Sequence, residues 1–251
     1  MIPKVIHFCW LSSDPYPPLI LQCMDSWREV LPDYEFRLWD TKRFDVNSTR
    51  WTREAYEQKK YAFAADYIRL YALYTEGGIY LDSDVLMYKS FNELLHLPYF
   101  IGEDHVHYFE TAIIGAEKGT AWLKDIMEFY ERTSFNEVAN CINRFAMPNV
   151  CQKCLTYKYK FRLVTSSQQY TINENTINIF RGDFFNSRNF VTYIRTSNSY
   201  CSHCFAGSWM PGRKNPFWKQ VLPLPILNLL HWIYYHLYNK HNIKCFQIKY
   251  E

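Results

Sequence analysis

The segment GGIYLDSDV, residues 77–85, constrains the fold more than any other part of the chain. Glycine after a helix supplies a left-handed cap at which the chain can turn, so the paired glycines predict the end of a helix. Ile79–Leu81 then indicates a short buried strand. In open α/β sheets, ligands bind beyond the carboxyl ends of the strands, and Asp82 and Asp84 follow at that point. The segment therefore predicts an α/β sheet with an acidic ligand site at one strand end.

The two aspartates are separated by a single serine. If the strand continues through Val85–Tyr88, Asp82 and Asp84 point to the same side of it. Neighbouring carboxylates repel each other unless a positive charge lies between them, and Mg²⁺ or Mn²⁺ prefers oxygen ligands. A cation held there could bind a diphosphate. Asp-Ser-Asp is also ordinary in a surface turn, so the triplet alone leaves both interpretations open.

The residues before the glycines predict one long helix over Glu54–Glu76, because alanine and leucine are frequent there. Asp66 and Arg69 lie three residues apart and share a face of this helix. An exposed ion pair would contribute little to stability. Their neighbours are mostly apolar or small, however, and the helix leads directly into the acidic strand end. We therefore expect this acid and arginine to bind the hydroxyls of a sugar.

The run ADYIRLYALYTEGGIYLDSD, residues 65–84, resembles the sugar-binding region containing the DXD motif of glycosyltransferase family 32 and its capsular-polysaccharide relatives. The match combines the Asp-x-x-Arg helix, the Gly-Gly cap and the Asp-x-Asp triplet in order. The resemblance implies a GT-A fold, a Rossmann-like mixed α/β sheet flanked by helices that binds nucleotide-diphospho-sugars. It also implies that Asp84 ligates a metal, that Asp82 contacts ribose, donor sugar or a metal-bound water, and that Asp66 and Arg69 hold the donor sugar.

The amino-terminal segment IPKVIHFCW, residues 2–10, is rich in strand formers and indicates a first buried strand. Its default role is to build the core sheet. The family opens with a similar IPKxIHxxW segment, and the resemblance implies that Val5, His7 and Trp10 line the nucleotide pocket, with Trp10 stacking on the base. For His7 we expect a structural rather than a catalytic role.

Strands and helices alternate through most of the remaining chain, as a parallel α/β sheet requires. The patterns predict helices over Leu19–Val30 and Gly119–Thr133, and strands over Tyr34–Trp39, Tyr99–Glu103, Thr111–Ala116, Tyr157–Val164 and Ile177–Phe180. We expect a glycosyltransferase domain over residues 1–216 and a C-terminal amphipathic helical tail over 217–251. Apolar residues recur at helical spacing over 226–244, beside histidines and lysines, so this segment could contact a membrane surface or pack on the domain.

A second resemblance lies in SHCFAGSW, residues 202–209, which is similar to the Gly-Ser-Trp ending of the family. Neutral imidazole is a metal ligand, so His203 could complete a site with Asp84, although a buried core histidine is the simpler interpretation. The Ser208 hydroxyl and the Trp209 indole N–H could meet phosphate oxygens. We expect His203 to ligate the metal because Asp84 alone is a poor site.

The eight cysteines bear on location and on metal binding. With no secretory signal visible and no apolar stretch long enough to span a bilayer, we expect reduced thiols and a cytoplasmic location. Within the cytoplasm, both a free protein and one at the inner face of the membrane fit the sequence. Cys151-x-x-Cys154 and Cys201-x-x-Cys204 could together form a structural Zn²⁺ site, although their separation is longer than in a usual zinc ribbon. The formal net charge of +3 is too small to favour nucleic acid as a partner.

These observations predict a metal-dependent glycosyltransferase, and the family resemblance implies retention at the anomeric carbon. It would use Mn²⁺ or Mg²⁺ and a UDP- or GDP-sugar, and would transfer a hexose to a saccharide or lipid-linked acceptor in surface polysaccharide synthesis. Three alternatives fit the same residues: a metal-dependent phosphoryl or nucleotidyl transferase, a non-catalytic protein that binds sugar nucleotides or saccharides, and a zinc-stabilised binding module.

Overall fold

A computed structural model describes residues 1–104, 107–185, 195–206 and 248–250. The strands of the described residues are β1 (Val5–Cys9), β2 (Glu35–Trp39), β3 (Gly78–Leu81), β4 (Val85–Met87), β5 (Tyr99–Glu103), β6 (Phe109–Ala116), β7 (Lys160–Val164), β8 (Thr176–Phe180) and β9 (Cys201–His203). The α-helices are α1 (Pro18–Val30), α2 (Arg50–Glu57), α3 (Tyr61–Glu76), α4 (Ala121–Arg132), α5 (Phe135–Val138) and α6 (Met147–Leu155). Short 3₁₀ segments cover Phe91–Leu94, Ala139–Phe145 and Ser167–Gln169.

Seven strands form one mixed sheet in the order β2-β1-β3-β6-β5-β8-β7. Strand β1 is parallel to β2 and β3, β5 is parallel to β8, and β8 is parallel to β7, whereas β6 is antiparallel to both of its neighbours. Six of these strands therefore run in one direction, and their carboxyl ends share one edge of the sheet. The mixed α/β sheet flanked by helices that the sequence predicts is confirmed.

Two hydrophobic clusters cover the two faces of this sheet. Along β3 the side chains alternate, with Tyr80 in the cluster built by α2, α3, α4 and α6, and Ile79 and Leu81 in the cluster that contains Trp27 of α1. All three β3 side chains are at most 1% exposed. A strand covered on both faces reads as a continuous apolar run, which is why the sequence shows no polar alternation here.

The glycine cap before β3 is confirmed. Gly77 adopts φ +70° and its N–H donates to Leu73 O at 2.9 Å, which ends α3. Gly78 adopts φ +116°, and a methyl group there would lie 2.8 Å from Val5 O and 2.9 Å from His7 Nε2. Glycine is thus required both by the backbone angle and by the close approach of β1.

The prediction of one helix over Glu54–Glu76 is wrong, because the chain breaks between α2 and α3. Lys59 adopts φ +56°, and the N–H of Lys60 donates to Ala55 O at 2.8 Å, a left-handed helix end. The fully buried Trp51 indole donates to Phe63 O at 2.7 Å across the break. Helix propensity is a local quantity, and this tertiary contact overrides it.

The prediction that β3 continues through Val85–Tyr88 is also wrong. Strand β3 ends at Leu81, and residues 82–84 turn before β4 pairs with β9 in a separate two-stranded sheet. The Trp27 indole donates to Val85 O at 2.6 Å, and Met87 N donates to Ser26 Oγ at 3.0 Å. These hydrogen bonds attach β4 to α1, so β4 does not continue in the direction of β3.

None of the helices in the described residues combines the length and apolar character needed to cross a membrane. Of the predicted tail over 217–251, only 248–250 is described. There Tyr250 forms a bridge with Phe161 and its hydroxyl donates to Glu103 at 2.6 Å. Ser208, Trp209 and the segment 226–244 lie outside the described residues, so their predicted roles and the domain boundary at 216 stay predictions.

Candidate active site

Three side chains with metal-ligating atoms converge beyond the carboxyl end of β3. They are Asp82, directly after β3, Asp84, directly before β4, and His203, the last residue of β9, and their potential ligand atoms all lie within 4.8 Å of one another. The pairing of β4 with β9 places Val85 opposite His203, which brings the histidine beside the turn. The structure thus joins the two aspartates to the histidine that the sequence proposes as their partner.

Asp84 is fixed by the segment that follows β9. Its Oδ2 accepts a hydrogen bond from Ala206 N at 2.7 Å, and its carbonyl oxygen accepts one from Cys204 N at 2.9 Å. Its Oδ1 lies 3.5 Å from His203 Nε2. Burial opposes ionisation of Asp84, but the contacts with His203 and with the Ala206 N–H outweigh it and hold the pKa of the carboxyl below its ordinary value.

His203 lies between two carboxylates. Nε2 faces Asp84, and Nδ1 lies 3.2 Å from Glu110 Oε1. Its ring stacks on Phe205 with the centroids 4.1 Å apart. Burial lowers the pKa of the imidazole, but Glu110 and Asp84 together raise it well above its ordinary value. The sequence analysis missed Glu110, because only the register of β6 and the distant β9 bring it to this histidine.

Arg69 organises the second half of the site from within α3. Its Nη2 lies 2.9 Å from Asp66 Oδ1 and 3.2 Å from Asp82 Oδ1, and its Nη1 donates to Thr111 O at 2.6 Å. The guanidinium also lies over the Tyr80 ring, 4.7 Å from its centroid. Arg69 is 4% exposed, so the pair with Asp66 is not the surface ion pair that the sequence left open.

Burial disfavours the ionised forms of the two carboxyls beside Arg69, those of Asp66 and Asp82. Burial raises the pKa of Asp66 to about 7, although Arg69 opposes this. Burial also raises the pKa of Asp82, again against the attraction of Arg69. Buried, perturbed carboxyls that share one arginine are typical of functional sites, because a fold selected only for stability would not retain them without need.

Of the three predicted nucleotide-pocket residues, only Trp10 lies at this edge of the sheet. It follows the carboxyl end of β1, and its ring packs edge-on against Tyr16 with the centroids 4.8 Å apart. Val5 begins β1 beside Gly78, at the opposite edge from Asp82, which corrects its placement.

His7 is buried inside the sheet. Trp39 Nε1 donates to His7 Nδ1 at 2.9 Å, and His7 Nε2 donates to Gly77 O at 2.8 Å. Both ring nitrogens are therefore occupied by the protein, and His7 supports the glycine cap rather than a ligand.

The four paired cysteines do not form a zinc site. Cys151 belongs to the cluster on one face of the sheet and Cys201 to the cluster on the other face. All four cysteines fall within the described ranges, where Asp82, Asp84 and His203 alone satisfy the spacing of a metal site. The zinc-stabilised module is therefore not supported.

The donor set at the strand end suits a divalent cation. Two carboxylates and one imidazole are ligands that Mn²⁺ accepts, and Arg69 already balances part of the negative charge of Asp82 and Asp66. Asp84 and His203, with Asp82 behind them, are the residues that would hold the ion. The residues present therefore fit the metal that the sequence predicts.

Comparison with known proteins finds relatives that share the region around the Asp-x-Asp triplet. Residues 17–101 match the family model described as "Glycosyltransferase sugar-binding region containing DXD motif". Inositol phosphoceramide mannosyltransferase 3 of Schizosaccharomyces pombe is 30% identical over 139 residues, which cover 54% of this chain and 39% of that protein. Subversion of eukaryotic traffic protein A of Legionella pneumophila is 29% identical over 125 residues, covering 39% of this chain and 19% of that protein.

Among solved structures, a PaToxG glycosyltransferase is similar with a TM-score of 0.47 and 18% identity, covering 62% of this chain and 68% of that one. The matches span well under half the length of the two curated relatives.

The structure brings together Asp-x-Asp at a strand end and a buried Asp-x-x-Arg helix, the two features on which the resemblance to the DXD glycosyltransferases rests. Residues 17–101 are thus similar to the sugar-binding region of the glycosyltransferases that carry the DXD motif, which bears out the resemblance given above.

Proposed function

We propose that this domain is a metal-dependent glycosyltransferase that moves a hexose from a nucleotide diphosphate sugar to a saccharide or lipid-linked acceptor. The observation that carries the proposal is the convergence of Asp82, Asp84 and His203 next to the buried Asp66–Arg69 pair. A mannosyltransferase among the relatives makes mannose the first donor sugar to test. The broader role that we propose is in surface polysaccharide synthesis, with retention at the anomeric carbon.

Each group has a distinct task in this proposal. Asp84 and His203 hold Mn²⁺ or Mg²⁺, which when bound acts as a Lewis acid toward the leaving diphosphate. Asp66 and Arg69 bind hydroxyls of the donor sugar and fix its orientation, and Asp82 lies between that pair and the cation site. Positioning and preorganised charge then supply most of the rate enhancement, so no protein nucleophile is needed.

The aromatic pair at the end of β1 supports a place for the nucleotide base. Trp10 and Tyr16 are both partly exposed, and the Trp10 indole N–H donates to Asp14 O at 3.0 Å, which fixes the ring. Ser83 Oγ donates to Cys9 O at 3.3 Å and ties the aspartate turn to the same strand end. A base stacked on Trp10 would therefore lie beside the turn that carries the cation ligands.

The proposal is tested by donor turnover. The protein is incubated with a panel of UDP- and GDP-sugars and Mn²⁺, with and without EDTA, and free UDP or GDP is followed. We expect release from one donor that EDTA abolishes and that Asp84→Ala lowers at least about 100-fold, as for loss of a metal ligand. Asp33→Ala is the matched control, because Asp33 is an exposed aspartate paired with Lys4.

Three results would contradict the proposal. Turnover that survives both EDTA and Asp84→Ala would remove the metal from the reaction. Release of pyrophosphate instead of a nucleoside diphosphate would identify a nucleotidyl transferase. Tight binding of one sugar nucleotide without turnover, measured by calorimetry, would identify a binding protein.

A further inference from the structure

Glu110 is a buried carboxylate at the carboxyl-end edge of the sheet. It lies near the start of β6, opposite Gly102 of β5, and is 4% exposed. Its Oε1 accepts a hydrogen bond from Ala112 N at 3.0 Å, which fixes the side chain against its own strand. A buried charge is costly unless it has a defined partner, so its contacts show what it is used for.

Glu110 is connected to the candidate cation site through its contact with His203. Glu110 Oε1 lies 3.2 Å from His203 Nδ1, whereas Nε2, on the other side of the ring, faces Asp84. The stacked Phe205 ring restricts rotation of the imidazole. Glu110 does not join the group of potential ligand atoms formed by Asp82, Asp84 and His203. Glu110 therefore lies on the side of the histidine away from Asp84, outside the candidate ligand set.

A histidine can ligate a metal only through a nitrogen that carries no proton. When a carboxylate accepts the N–H of one ring nitrogen, it fixes the tautomer, orients the ring and makes the other nitrogen a better ligand. In the structure His203 Nδ1 is buried and makes no hydrogen bond within the described part of the chain, and Glu110 Oε1 lies 3.2 Å from it. A small reorientation of the ring would therefore let Nδ1–H donate to Glu110 and leave Nε2, which faces Asp84, as the ligand.

We propose that Glu110 is a positioning residue of the cation site, which holds the His203 Nδ1–H and thereby presents Nε2 to a divalent cation beside Asp84. This inference rests on the proposed function, since it requires that Asp84 and His203 hold a cation.

The inference has a consequence for metal choice. An imidazole ligand favours Mn²⁺ over Mg²⁺, because Mg²⁺ prefers oxygen donors and keeps its waters. A histidine that Glu110 presents correctly therefore adds selectivity for Mn²⁺ to a site that two aspartates alone would leave unselective. Loss of Glu110 should weaken Mn²⁺ binding more than Mg²⁺ binding.

The experiment measures Mn²⁺ binding directly, without turnover. Mn²⁺ is titrated into the protein with UDP or GDP present, and free Mn²⁺ is followed by its electron paramagnetic resonance signal. Electron spin-echo envelope modulation of bound Mn²⁺ reports a histidine nitrogen ligand. The variants are Glu110→Gln, which keeps the size and the acceptor for Ala112 N, and Glu110→Ala, which removes both. Circular dichroism melts establish that each is folded.

Glu103→Gln is the matched control. Glu103 is 3% exposed and ends β5, the neighbouring strand, and its Oε2 lies 2.7 Å from Nδ1 of a different histidine, His107. Both substitutions therefore neutralise a buried glutamate paired with a histidine, but only Glu110 contacts His203. A general effect of the lost charge would appear in both variants.

We expect Glu110→Gln and Glu110→Ala to weaken Mn²⁺ binding by about 10- to 100-fold, to weaken Mg²⁺ binding less, and to reduce the nitrogen modulation, with Glu103→Gln unchanged. Folded Glu110 variants that bind Mn²⁺ as tightly as wild type, while Asp84→Ala does not, would overturn the inference and leave the proposed function intact. Absence of Mn²⁺ binding by the wild-type protein would overturn both.

Discussion

Asp66→Asn should make the protein more stable at alkaline pH while abolishing donor turnover. Burial raises the pKa of the Asp66 carboxyl from 3.8 to about 7, with the opposing effect of Arg69 already included. Between these two values the folded state binds more protons than the unfolded state, so the free energy of unfolding falls as pH rises. Above pH 7 the ionised carboxylate therefore destabilises the fold, and an amide removes that charge.

The size of the effect follows from the same values. One pKa unit corresponds to about 1.4 kcal/mol, so the difference between 3.8 and about 7 sets a ceiling of about 4 kcal/mol at pH 8. An amide is an imperfect copy of a protonated carboxyl and weakens the 2.9 Å contact with Arg69, so we expect a net gain of roughly 1–3 kcal/mol. The gain should shrink toward zero as pH falls to about 4.

The assay is urea unfolding of wild type and Asp66→Asn at pH 8, 6.5 and 5. Asp183→Asn serves as the control of opposite sign. Although burial opposes ionisation there, bonds from Arg181, Thr196 and Asn198 lower the pKa of the Asp183 carboxyl, so its amide variant should be less stable at pH 8. An Asp66→Asn protein that is less stable than wild type at pH 8, or a gain independent of pH, would refute the reasoning.

Two further predictions concern the support of the site. Gly78→Ala should lower the free energy of unfolding, measured by urea unfolding, by about 2 kcal/mol or more, because Gly78 has φ +116° and a methyl group there would lie 2.8 Å from the backbone of β1. Gly119 has φ +79° but open space around it, so Gly119→Ala should lower the free energy of unfolding by only about 1 kcal/mol. Equal losses would contradict this. His7 should make stability fall as pH drops below about 6.5, since burial lowers its pKa and the Trp39 indole already donates to Nδ1. His7→Gln should lose that component of the pH dependence and exposed His96→Gln should keep it; an unchanged profile in His7→Gln would refute the assignment.

The sequence predicts those parts of the site whose residues lie close together along the chain. Asp66 and Arg69 are one helical turn apart, and Asp82 and Asp84 follow a glycine cap and a strand end, so spacing alone places them near one another. The resemblance to a known motif extends this to the distant His203. The layered α/β fold is predictable for the same reason, because the hydrophobic periodicity within each segment predicts whether it forms a helix or a strand.

The parts that the sequence does not predict depend on contacts between distant elements. Glu110 acquires its role because β6 pairs with β5 in one register and β9 returns beside β4. The break in the helix at Lys59 depends on the tertiary contact of the Trp51 indole with Phe63 O, and intrinsic helix propensity does not include such contacts. Val5 was misplaced because a motif gives the order of residues along a strand but not which end of the strand meets the ligand.

The pairing of β4 with β9 also sets when the site can exist during synthesis. All seven strands of the main sheet are complete by Phe180, whereas the contact between Asp84 and Ala206 joins residues 122 positions apart. A nascent chain that emerges amino terminus first therefore displays both aspartates long before it can supply the histidine. Under the proposed function, cation binding would therefore wait until β9 has been synthesised and paired with β4, and a polypeptide that ended earlier would carry the motif without the histidine.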